Sequence, residues 1–160
     1  MSDQMTAAIN KQINAELYSS YLYLSMSAWF EDKNLTGLAK WMRAQAAEEH
    51  AHAMKFLDHL VARGARVKLA AIDAPPSDFT SPLAVFEEVL KHEQKVTAMI
   101  HDLAGLADAQ KDRAAAGELQ WFIKEQVEEE ATAGQIVAQF RMVKDSVGGL
   151  FQLDHHLGKR

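Results

Sequence analysis

Two intervals of 33 residues, Glu16 to Glu49 and Glu93 to Gln126, restrict the folds open to this chain. Each joins a polar residue on one helical stretch to a polar residue on the next. Their surroundings are apolar at helical spacing, as with Ile9, Ile13, Leu17, Leu24 and Ala28 before Trp29 and Phe30. The second residue of each interval opens a pair spaced by three, Glu49 with His52 and Gln126 with Glu129. Three residues turn a helix through about 300°, so both members leave one face. Tyr23 lies nearly two turns after Glu16 and shares its face. Carboxylates aimed into an apolar bundle need partners, because an unpaired buried charge costs roughly several kcal/mol.

The periodicity divides the chain into four long helices. The first covers residues ~5–33 and ends at Asn34, a residue suited to a turn or an N-cap. The second covers ~36–63 and stops at Gly64, just after Arg63. Arg66 to Leu69 reads as short and extended. Pro75, Pro76 and Pro82, with Ser77, Asp78, Thr80 and Ser81, mark a loop of about 18 residues, against roughly 2–8 for most connections in bundles. Such a loop lets the chain run the length of the bundle before the third helix begins. Ser81-Pro82 supplies an N-cap and a first-turn proline for a helix over ~82–107. After a turn between Gly105 and Asp112, a fourth helix covers ~112–144, with Gly134 as a bend and Gly148-Gly149 ending the regularity. Leu150 to Leu157 forms a short fifth helix. The expected fold is all-α: a four-helix bundle with one long crossover between helices two and three and a short fifth C-terminal helix, in one domain spanning 1–160.

Cysteine is absent, so disulfides are excluded and any metal must be held by oxygen and nitrogen ligands. A net charge of −5 gives no nucleic-acid footprint. The start of the chain lacks the basic and apolar regions of a signal peptide, and no apolar run approaches the roughly 18 residues of a membrane span. The expectation is a cytoplasmic protein with neither nucleic-acid nor membrane partners.

A Glu on each odd helix and a three-spaced pair on each even helix is the ligand pattern of di-iron carboxylate bundles. Two adjacent cations need several anionic oxygens and one or two imidazoles, which four helices can supply at one level. The motifs are Asn14-Ala15-Glu16-Leu17-Tyr18-Ser19-Ser20-Tyr21-Leu22-Tyr23, Glu48-Glu49-x-x-His52, His92-Glu93-Gln94, and Leu119-Gln120-Trp121-Phe122 followed by residues 125–130. With these in order along nearly the whole chain, the sequence resembles the bacterial and archaeal non-haem ferritins, a ferritin-like di-iron carboxylate family.

The resemblance implies a role for each residue. Glu16, Glu49 and His52 hold one iron, and Glu49 bridges to a second held by Glu93 and Glu129. Gln126 is a neighbour of the centre rather than a strong ligand. A third iron position, found in some prokaryotic ferritins, matches Glu48, Glu125 and Glu128 with Glu129; a solvated acidic face is the other reading of these acids. Tyr23 matches a tyrosine beside the centre that donates a hydrogen bond or an electron; a core aromatic with a satisfied hydroxyl is the other reading. Glu130 is assigned to the surface, Trp121 to core packing near the site, and His59, His92 and His101 to the surface or helix ends. His155 and His156 either ring a four-fold channel or belong to a plain terminus. Eukaryotic members carry channel acids early in helix four; Ala116 and Leu119 stand at those positions here, with Glu118 and Asp112 out of register.

The implied function is iron storage with ferroxidase activity. Fe(II) binds a di-iron site within the subunit, O₂ or H₂O₂ oxidises it, and ferric mineral fills a hollow homo-oligomeric shell of about 24 subunits. Haem is not expected. Haem-binding bacterioferritins repeat Glu-x-x-His in helix four, where this chain has Gln126-x-x-Glu129. His50, which stands where they place a haem-ligating methionine, is assigned to a subunit interface. A rubrerythrin-like peroxidase typically adds a Cys-ligated iron domain, which a chain without Cys lacks. Mini-ferritins take their ligands from the first two helices, whereas here both halves contribute.

Overall fold

The computed structural model describes residues 1–160 and contains five α-helices and no strand. They are α1 (Asp3–Asp32), α2 (Thr36–Ala62), α3 (Pro82–Ala109), α4 (Arg113–Val143) and α5 (Val147–Leu157). Four of the five begin on a side-chain cap. Ser2, Ser81, Asp112 and Ser146 each accept a hydrogen bond from an amide in the first turn. The exception is α2, whose N-cap is Leu35. Asn34 takes the turn role instead, reversing the chain at a φ of 59°.

Short turns pair α1 with α2 and α3 with α4. Residues 65–79 have no regular structure, and this crossover lies along α1. Asn10 is bonded to both Arg66 and Lys68, Asn14 donates to the carbonyls of Ala70 and Ala71, and Ser25 donates to that of Pro76. The extended segment expected at 66–69 therefore pairs with helix side chains and not with a strand. The loop returns the chain to the end of the bundle where α2 began, so α3 runs parallel to α2.

The end of α4 differs from expectation. The helix runs unbroken through Gly134. Gly148 and Gly149 do not end it; they lie in the first turn of α5, which starts at Val147 rather than at residue 150. The reversal falls earlier, at Lys144 with a φ of 48°, and Ser146 caps the new helix. Packing explains Gly149, since a Cβ there would come within 2.6 Å of Val143 Cβ.

Met5, Ile9, Ile13, Met26 and Phe30 form the buried apolar stripe of α1. Leu24 and Ala28, expected in it, are exposed, because each lies one residue, about 100°, round the helix from a buried neighbour, Tyr23 or Ser27. The core has two parts. One holds Leu22–Phe30 side chains, the first half of α2, the start of α3, the end of α4 and α5. The other holds the start of α1, the end of α2, the end of α3 and the start of α4. Between them, at mid-helix, lies a layer of buried polar groups: Gln12, Glu16, Gln45, Glu49, His52, Glu93, Gln126 and Glu129. No helix is long and apolar enough to cross a membrane.

Candidate metal centre

Each of the four long helices sends an acid into the polar layer. Glu16, Glu49 and Glu93 are each 1% exposed, and Glu129 is 8% exposed. Ligand-type atoms of Glu16, Glu49 and His52 lie within 4.8 Å of one another, as do those of Glu49, Glu93 and Glu129. Glu49 belongs to both groups. His52 Nδ1 lies 3.3 Å from Glu49 Oε2, one turn away on the same face.

Few donors satisfy these acids. Gln12 Nε2 donates to Glu16 at 2.8 Å and Gln45 Nε2 to Glu129 at 2.6 Å. The Tyr23 hydroxyl donates to Glu93, and Gln126 Nε2 donates to Glu93 Oε2 at 3.1 Å. Glu16 Oε2 and Glu49 Oε1 are buried without any partner. The ion pairs made by Lys and Arg all lie elsewhere. Burial without counter-ions disfavours the charged form of an acid and raises its pKa. Burial pushes Glu16 up to about 7. Burial and the Glu93 charge push Glu129 up to about 8 and Glu49 well above the carboxylate range. Burial also raises Glu93, against the hydrogen bond from Tyr23. The Tyr23 phenol, wholly buried among these acids, is raised in turn and stays neutral. Burial lowers His52, keeping its imidazole neutral and able to accept a metal. Oxygen and imidazole donors with two orphaned carboxylate oxygens fit a pair of cations.

The acids expected at a third position divide. Glu125 comes together with His52 and Glu129, ligand-type atoms lying within 4.8 Å. Glu48 is bound instead by Arg160, and Glu128 is exposed and joins no such group.

Some assignments change. His92 is neither a surface nor a helix-end residue. It is half-buried between Tyr18 and Tyr23, with ring centroids 5.8 and 5.9 Å away, and its Nε2 lies 2.7 Å from Ser19 Oγ. Burial brings its pKa down to about 4. Trp121 is 40% exposed rather than core; it meets the His52 ring edge-on at 5.4 Å, and Lys55 Nζ lies over its ring, 4.9 Å from the centroid. Glu130 is half-buried and accepts from Thr97. Leu119, at an expected channel position, is buried in the core, while Glu118 pairs with Lys55 and Asp112 with Arg63. Gln12 and Gln45 were not singled out by the sequence. The available signal was spacing, since each stands four residues before an inward acid, Glu16 or Glu49.

A family model for a ferritin-like domain matches residues 6–143. The chain is 43% identical over 160 residues to a bacterial non-heme ferritin of Bacteroides fragilis, covering 100% of this chain and 99% of that protein. It is 36% identical over 158 residues to a probable bacterial non-heme ferritin-like protein of Haemophilus influenzae, covering 99% and 96%. Among solved structures it is similar to an open pore ferritin from the archaeon Archaeoglobus fulgidus, with 49% identity, a TM-score of 0.99, and coverage of 100% and 99%.

Proposed function

The chain belongs to the ferritin family, and from that premise we propose that it stores iron and has ferroxidase activity, oxidising Fe(II) with O₂ or H₂O₂ at the centre between α1, α2, α3 and α4. The observation that carries this reading is the shared Glu49: two three-ligand groups meet at one carboxylate inside a layer that has no cation of its own. Glu16, Glu49 and His52 hold one Fe(II) substrate, and Glu49, Glu93 and Glu129 hold the other. Binding displaces the protons that burial keeps on these carboxyls. Two Fe(II) give one electron each to O₂, which leaves as H₂O₂ after taking two protons, or H₂O₂ itself accepts the two electrons with two protons and leaves as two waters. The chain supplies position and charge. Tyr23 and Gln126 hold Glu93, Gln45 holds Glu129, and Gln12 holds Glu16.

The 160 residues act as one ferritin-like unit of a cytoplasmic shell of about 24 copies, with mineral inside and no haem. Val147 and Phe151 are both exposed and stand one turn apart on α5, so they share one open face of that helix, which supports assembly. Glu49→Ala and His52→Ala should each abolish fast aerobic Fe(II) oxidation in stopped-flow absorbance, leaving a helical, assembled protein. Unchanged initial rates in both variants would refute the site.

A further inference from the structure

Glu48 adjoins Glu49 in sequence yet lies outside the buried layer. Its side chain is 49% exposed, and its Oε2 accepts from Arg160 Nη2 at 2.6 Å. Other contacts also fix that arginine. Nη1 donates to the Trp41 carbonyl at 3.4 Å, and the guanidinium lies over the Trp41 ring, 4.6 Å from its centroid. The segment leading to it is held by close backbone approach. A Cβ on Gly158 would come within 2.7 Å of Gly37 Cα, and Asp154 Oδ1 accepts from the Leu38 amide at 2.9 Å.

Glu48 precedes His52 by four residues, one turn of α2, so the two side chains are neighbours at the edge of the group formed by His52, Glu125 and Glu129. Glu48 thus stands beside that group without belonging to it, and its carboxylate is occupied by Arg160.

We propose that Arg160 is a built-in counter-ion that withholds Glu48 from a divalent cation held by His52, Glu125 and Glu129. The cation recruits Glu48 as a further ligand only by displacing the guanidinium. With Arg160 in place, the group offers two carboxylates and one imidazole. With Arg160 displaced, it gains a third negative charge, and the cation is held more tightly. Arg160 thereby sets how strongly this position competes with the two-cation centre for the same metal. The proposal rests on a third cation position beside that centre.

The test is anaerobic calorimetric titration of the assembled protein with Zn(II), which is not oxidised. Removing a partly exposed ion pair has a modest effect, so Arg160→Ala should tighten the weakest site beside the centre by about threefold to fivefold. In a Glu48→Gln background the same substitution should change nothing, because the charge that Arg160 masks is gone. Equal affinities in the wild type and Arg160→Ala, or an equal gain with and without Glu48, overturn the counter-ion role. Glu125→Gln should remove one bound Zn(II) per chain. If it removes none, the third position fails, and the role of Arg160 fails with it.

Discussion

Glu16, Glu49, Glu93 and Glu129 are buried acids without basic partners, which reverses the usual dependence of stability on pH. A carboxylate held by a cation has a depressed pKa and stabilises the fold as pH rises. Here the folded-state values are raised, to about 7 for Glu16 and about 8 for Glu129, above the unfolded value of 4.5. The folded chain therefore binds more protons than the unfolded chain across that interval, and stability falls as pH increases through it. The melting temperature of the metal-free protein should decline between about pH 5 and pH 8. Anaerobic Zn(II) should restore it most at the upper end, where the acids are closest to ionised. Glu49→Gln should flatten the decline and weaken the rescue. A metal-free melting temperature that climbs over the same range would contradict this account. At this scale the acids and His52 were legible because acids spaced on inward faces of apolar helices have few other uses. Gln12 and Gln45 were not, since a glutamine on a helix reads as surface until the acid one turn away is known to be buried. His92 was missed because its neighbours Tyr18 and Tyr23 come from a helix more than 65 residues earlier in sequence.

Helix boundaries followed from local chemistry, and where that chemistry was strong the sequence was sufficient. Ser81-Pro82 opened α3 where expected, and Gly64, with a φ of 67°, follows the end of α2. The crossover was legible as a length and a run of prolines, but its path along α1 depends on Asn10, Asn14 and Ser25, none of which signals a loop partner. The start of α5 was misplaced because two adjacent glycines read as a terminator. In the fold they are helical, and Gly149 admits the Val143 side chain. A tertiary contact chose these residues, and no local pattern reports it. Gly37 makes the same kind of contact where α5 docks on α2. A Cβ there would come within 1.9 Å of the Asp154 carbonyl oxygen, a backbone atom that cannot swing aside. Gly37→Ala should cost about 1–3 kcal/mol, read by chemical denaturation, with loss of the Leu38–Asp154 hydrogen bond. A neutral substitution would mean that α5 shifts freely on its support.

The molecule as a whole was the scale best read from sequence, because four long helices and one crossover leave few arrangements that bring mid-helix acids together. Assembly is the property to measure at this scale. Light scattering after size exclusion should give a mass of about 24 chains, and iron loading should raise density without changing that number. A dimer or a 12-mer would exclude storage in a shell of this kind. The division of the core into two apolar parts by the polar layer also governs how the single chain breathes. Local opening follows the least stable part of a fold, and in the metal-free chain we expect that to be mid-helix, where buried acids crowd together. Amide hydrogen exchange should then show a dip in protection near Glu16, Glu49, Glu93 and Gln126, with slower amides on either side along each helix. Cation binding should fill the dip in all four helices at once. On that account the two apolar halves should open as two cooperative units before the metal arrives and as one afterwards, and even protection along each helix in the metal-free protein would contradict it.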